Sequence, residues 1–309
     1  MNTRVINVRT LVSEKDWETV KQAADVVGAR VSILEDDRTP TDIVALPTEL
    51  VVLDPSRMSA DDWDGLCTWF NEYPFFEGYF LLINSSPHTA VLPKTRIIDE
   101  PISKEGVMRA IRRVQALTSV FFRSLSYDEL LVCVSDRFEE VERFEEFLRN
   151  ETSWLTSPAS TRFHLAEEGG LVKHSLNVAN TMLKLRASLA PDISEESCVI
   201  AGLYHDIGKI GMPGKPYYLT NPSEWHVKNR GMAYIINQDI VHMDIATRSL
   251  FLVSRHITLT DEEAQAIRYH DGQYIDENKS VAHRETKLTR LLQYADNWSG
   301  GVLEESASN

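Results

Sequence analysis

What most restricts this chain is a set of ionisable side chains at positions where helices should be apolar. His205 and Asp206 close the apolar run Val199-Ile-Ala-Gly-Leu203. His174 follows Leu171 by three residues and precedes Val178 by four, on the apolar stripe of a helical pattern. His270 follows Ile267 by three and Asp296 follows Leu292 by four, again on inward faces. A buried carboxylate without a partner costs several kcal/mol, and a buried imidazole must also be satisfied. Each histidine taken singly reads as a core or surface residue. The ordered set on separate helices is most economically explained by one shared cation, so the fold has to bring these faces to one point. Zinc, iron and manganese accept imidazole together with carboxylate. The adjacency of His205 and Asp206 at a helix end lets both face one ion, and Asp206 is placed to bridge two.

The periodicity changes character along the chain. Over residues 1–118, short runs rich in Val, Ile and Leu (Val5–Val8, Arg30–Leu34, Leu50–Leu53, Tyr79–Ile83 and Thr95–Ile98) alternate with helical patterns at Glu14–Val27, Ala60–Glu72 and Lys104–Leu117. Such alternation predicts an α/β domain, a parallel sheet with helices on both faces. Residues 119–158 read as a helical connector carrying an acidic amphipathic segment, Ser135–Arg149. From 159 to 309 strand signals nearly vanish. Helical patterns run over Leu171–Leu189, Glu195–Asp206, Gly231–Asn237, Ile245–His256, Asp261–His270 and Arg284–Trp298, with capping boxes expected at Asp192/Glu195 and Thr260/Glu263. This second domain is predicted to be an all-α bundle.

Composition narrows the function classes. Of 309 residues, 43% are hydrophobic and 25% charged, ample for a sizeable core. No apolar run approaches the roughly 20 residues a bilayer requires, and Met1–Trp17 has no apolar signal region, so no membrane partner is expected. Lys plus Arg number 32 and Asp plus Glu 46, so the net charge is 32 − 46 = −14. That balance argues against coating long nucleic acid but not against a small phosphate ester in a local basic or metal-lined pocket. Cys67, Cys133 and Cys198 are unpaired in spacing, and a reducing, cytoplasmic setting is expected. P-loop, dinucleotide-binding and nucleophile-elbow signatures are absent.

In the first domain, Leu50-Val-Val-Leu-Asp54-Pro ends the third strand, Leu82-Ile-Asn-Ser85-Ser86 the fourth, and Ile97-Ile-Asp-Glu100-Pro101 the fifth. This arrangement resembles a response-regulator receiver domain of flavodoxin-like topology, with Asp54 at the phosphoacceptor position. The paired acids expected after the first strand are missing from Asn7-Val-Arg-Thr10, and Glu100 stands where the receiver pattern has lysine. The domain is therefore read as a pseudo-receiver, suited to dimerisation or ligand sensing.

The second domain carries Gly169-Gly-Leu-Val-Lys-His174-Ser, His205-Asp-Ile-Gly-Lys209, Tyr269-His270-Asp-Gly272 and Gln293-Tyr-Ala-Asp296. Over roughly residues 155–305 it resembles the HD superfamily of metal-dependent phosphohydrolases, nearest the branch with HD-type 3′–5′ exoribonucleases and phage and bacterial HD hydrolases. The resemblance implies that His174, His205, Asp206 and Asp296 hold a metal, with His226 and His270 added where two ions are bound. His270-Asp271 stands where many two-metal members have His-His, and Asp271 is itself a possible ligand. His164 has a counterpart that supports the site or meets substrate. Lys209 is positioned to meet a phosphate oxygen, with Lys215, Lys228 and Arg230 as further cations. Tyr217, Tyr218 and Trp225 are candidates to stack on a base. His256 reads as structural, His242 and His283 as surface residues, and His88 as part of a loop in the first domain.

The implied activity is hydrolysis of a nucleotide or other phosphate ester as a phosphohydrolase or phosphodiesterase, with Asp206, Lys209, His226 and His270 in catalytic roles. It uses one or two divalent ions (Mn, Fe, Zn, Ni or Mg), which lower the pKa of a bound water toward neutral. The expected substrate is a small nucleotide or a short single strand, and a homodimer through the first domain or the connector is expected. Two alternatives are weighed against this: an HD-type di-iron oxygenase, and a non-catalytic signalling or binding protein.

Overall fold

In the computed structural model the chain divides into two units, Met1–Phe122 and Arg123–Asn309. The structure describes residues 7–33, 50–59, 61, 65, 68, 79–82, 97–98, 102–120 and 123–304. The helix expected over Ala60–Glu72 lies largely outside these residues, as do Cys67, Ser85, Ser86, His88 and Glu100.

The first unit is built on a parallel sheet of five strands: β1 (Asn7–Leu11), β2 (Arg30–Ile33), β3 (Leu50–Leu53), β4 (Tyr79–Leu82) and β5 (Ile97–Ile98), in the order β2-β1-β3-β4-β5. Val8 pairs with Leu50 and Leu50 with Tyr79, which puts β3 in the middle of the sheet. All four β3 residues are buried, which is why that strand reads as an unbroken apolar run rather than an alternating one. Helix α1 (Glu14–Val27) is capped by the Ser13 hydroxyl, which accepts from Asp16 N, and ends at Gly28, whose φ of 69° favours glycine. Ser103 caps α2 (Lys104–Ser119) in the same way. Asp54 sits at the carboxyl end of β3, where its Oδ1 accepts from Ser56 N and Oγ at 3.0 and 2.7 Å.

The second unit is helical: α3 (Tyr127–Leu131), α4 (Phe138–Glu151), α5 (Gly170–Leu189), α6 (Glu195–Tyr204), α7 (Glu224–Arg230), α8 (Ile245–Val253), α9 (Asp261–Arg268) and α10 (Lys287–Trp298). From Arg123 onward the stretch expected as a connector falls within this unit. Arg137, ahead of α4, pairs with Glu196 of α6 at 2.6 Å and with the fully buried Glu263 of α9 at 2.5 Å. Every residue of α6 but Ser197 is buried, so this helix forms the centre of the bundle. It lies so close to α5 that a Cβ on Gly202 would stand 2.6 Å from Ala179 Cα.

Two local expectations are corrected. The cap of α6 is Ser194, accepting from Ser197 N, rather than Asp192. The stretch Gly231–Asn237 is not a helix. Gly231 is the left-handed C-cap of α7, and Tyr234–Ile236 pairs as β7 with β6 (Tyr218–Thr220) in an antiparallel hairpin. The Thr260/Glu263 capping box is present at α9.

Candidate metal centre

Four segments of the second unit deliver ionisable groups to one point. His174 comes from the first turns of α5, His205 and Asp206 from the end of α6, His270 from just beyond α9, and Asp296 from the last turn of α10. The turn after His205-Asp206 is a short 3₁₀ helix, Ile207–Ile210, clamped to α8. Gly208 N donates to Ser249 Oγ at 2.8 Å, and the buried Arg248 guanidinium donates to Gly208 O at 3.1 Å. Only glycine fits there, because a Cβ would lie 2.3 Å from Ile245 O. The clamp turns Asp206 inward and places Lys209 Nζ 2.5 Å from Asp206 Oδ2.

The three imidazoles share one hydrogen-bonding pattern. His205 Nδ1 lies 3.0 Å from Gly202 O, His270 Nδ1 2.8 Å from Ile267 O, and His174 Nδ1 3.0 Å from Glu304 Oε2. With each Nδ1 committed to an oxygen acceptor, each Nε2 faces the two aspartates. His174 Nε2 is 3.1 Å from Asp296 Oδ1 and 3.6 Å from Asp206 Oδ2. His205 Nε2 is 3.8 and 3.7 Å from the same two atoms, and His270 Nε2 is 3.5 Å from Asp206 Oδ1. Among the described residues, Nε2 of His174 and of His205 is buried and makes no hydrogen bond.

Burial pushes His205 down to about 4, against the pull of Asp206. Burial opposes charge on His174 and His270 as well. Asp296 and Glu304 outweigh it at His174, and Asp206 at His270, and both rise to about 9. Burial would raise Asp206, yet Lys209 and the imidazoles hold it well below the usual carboxylate range. Asp271, next in the chain, is raised by burial.

This donor set fits a divalent ion. Buried Nε2 atoms converging on carboxylates, once deprotonated, are what a borderline metal needs. His174, His205 and Asp206 form one group of donor atoms within 4.8 Å of one another, and His205, His270 and Asp296 form a second.

Other expected residues fall elsewhere. His226 on α7 is not brought to the cluster: its Nδ1 lies 2.7 Å from Ser223 Oγ and its ring sits edge-on to Trp225. Lys215, Lys228 and Arg230 are exposed, and the Arg230 guanidinium lies over the Trp225 ring. Tyr217 packs under Arg248. His256 stacks on Phe144 and Phe147. His164 is near the centre, its ring 5.3 Å from that of His174. Two features escaped the sequence reading. One is Glu304. The other is a cavity of about 1030 Å³ that opens beside His270, Asp271 and Asp296 and is lined further on by Lys184, Tyr294 and Trp298.

Residues 171–300 match the family model described as HD domain. No curated protein and no solved structure matches the chain. Over these residues the helical unit is similar to HD domains, and its buried His and Asp groups are of the kind that holds a divalent ion. Among the described residues no helix is long and apolar enough to cross a membrane.

Proposed function

We propose that this protein is a metal-dependent phosphohydrolase that cleaves the phosphate ester of a small nucleotide or a short single strand. The observation that carries the reading is the convergence of three imidazole Nε2 atoms on Asp206 and Asp296, in a pocket continuous with the cavity beside His270. His174, His205, His270, Asp206 and Asp296 would hold one or two divalent ions. Bound there, an ion supplies Lewis acidity and a water of lowered pKa. The remaining work belongs to the protein. The Lys209 ammonium, anchored on Asp206, stabilises charge developing on phosphoryl oxygens. Asp271, 3.7 Å from His270 Nε2 and lining the cavity, would supply the proton to a leaving oxygen. The cavity is of the size that takes a small ligand, up to about 1,000 Å³. Tyr294 and Trp298 offer flat apolar walls for a base. Lys184 and His270 are the basic residues among its described lining, too little positive charge for a long strand.

For the first unit we read a receiver-like domain that does not itself take up phosphate. Its strand order, β2-β1-β3-β4-β5, is that of the flavodoxin-like folds, and Asp54 lies at the carboxyl end of the middle strand.

Protein purified without added metal, analysed for its elements and then assayed with Mn²⁺, Fe²⁺, Ni²⁺ and Zn²⁺, tests the reading. Phosphate release from mononucleotides or shortening of oligonucleotides is the expected result. Oxygen uptake with an iron-loaded sample and no hydrolysis would favour the oxygenase chemistry instead.

A further inference from the structure

We infer that Glu304 is a positioning residue for the centre, holding the His174 ring so that Nε2 presents its lone pair to the ion. The inference rests on the metal reading above, and the experiment below separates the two.

His205 and His270 lie at or beyond helix ends, where they turn Nδ1 onto the backbone carbonyl three residues earlier. His174 does not do so. It is the fifth residue of α5, and the carbonyls behind it are engaged by the helix. Its Nδ1 instead meets a side chain, Glu304. Glu304 closes a π-type turn, Ser299–Leu303, that follows α10, and its backbone N donates to Ser299 O at 3.0 Å. The turn brings the carboxylate back to α5, with its side chain only 1% exposed. Its oxygens lie 3.0 and 3.2 Å from His174 Nδ1, and Oε1 also accepts from Asn177 Nδ2 at 2.9 Å.

An ionised carboxylate only accepts hydrogen bonds. Facing Nδ1, it selects the tautomer protonated there and leaves Nε2 free toward Asp206 and Asp296. It also makes the imidazole a more basic ligand. A buried carboxylate needs compensation of its own. Asn177, one turn along α5 from His174, supplies it together with the ring, and His164 Nε2 lies 3.9 Å from Glu304 Oε2. Glu304 lies just beyond the 171–300 stretch that matches the HD family model.

The test is titration of the full chain with Co²⁺, followed by calorimetry and by the visible absorption of the ion, for the wild type, Glu304→Gln and Asn177→Ala. Glu304→Gln is expected to weaken Co²⁺ binding about 10- to 100-fold and to shift the visible band at saturation. Asn177→Ala should weaken binding in the same direction by less, and serves as the second variant if Glu304→Gln does not fold. Wild-type affinity and an unshifted band in the folded variants would overturn the inference while leaving the metal reading intact. A wild type that binds no Co²⁺ would overturn both.

Discussion

Metal-free, the centre stores protons in two of its three imidazoles. His174 and His270, raised to about 9, are charged at neutral pH, whereas His205, lowered to about 4, is not. A divalent ion needs all three Nε2 atoms unprotonated, so binding must release protons. Calorimetry in buffers of different ionisation enthalpy should therefore find about two protons released per chain at pH 7, with affinity rising as pH rises toward about 9. Binding whose heat is independent of the buffer would contradict this protonation pattern. Lys209 offers a different split: Lys209→Ala should keep the metal and lose about 10²-fold in kcat, because it removes a charge that faces the phosphoryl group. At this scale His174, His205, His270 and Asp296 were legible because each interrupts an apolar period. Glu304 was not, because two glycines and a π-type turn precede it and break the 3.6-residue spacing that would have placed it on the inner face. Tyr294 and Trp298, both more than half exposed, carried no sign in the sequence of the cavity they line.

Helix contacts set the spacing of these residues. Gly202 lets α6 approach α5, the helix that carries His174. In Gly202→Ala the new methyl meets Ala179 backbone at 2.6 Å, and backbone cannot swing aside as a long side chain can. That overpacking should cost about 1–3 kcal/mol, read as a lowered denaturant midpoint together with weaker metal binding. Arg137→Ala should be worse, about 3–5 kcal/mol, since it strands Glu263 and Glu196 in the core. Burial works against the Glu263 charge, but Arg137 holds its carboxyl below the usual range. This contribution is therefore present above the unfolded pKa of glutamate and is lost as pH falls through the folded one. Chemical unfolding of the two proteins at neutral and acid pH checks both points, with the gap between them narrowing in acid. Elements with strong periodicity or a clear cap were readable, as at α1, β3 and α9. The hairpin Tyr218–Thr220/Tyr234–Ile236 was not, because three-residue strands have too few alternations to signal themselves and α7 between them buries no residue.

Across the whole molecule, the groups of the candidate centre belong to one unit. Every described residue of the centre, Glu304 included, lies within Arg123–Asn309. That segment expressed alone should bind the same number of ions as the full chain, measured by elemental analysis after gel filtration, and a fall in stoichiometry would show that the first unit contributes. The net charge of −14 is uninformative about the site, since acids at the surface and in the Arg137 network count equally with the two aspartates that face the imidazoles. The central claim is that these aspartates and imidazoles hold a catalytic divalent ion. Its most direct test is the metal content of the full chain and of the His205→Ala, Asp206→Ala double variant, dialysed against Mn²⁺ and then against metal-free buffer. The account predicts one or two ions per wild-type chain and essentially none in the folded double variant, with hydrolysis lost alongside. Equal metal content and undiminished hydrolysis in the two proteins would contradict it.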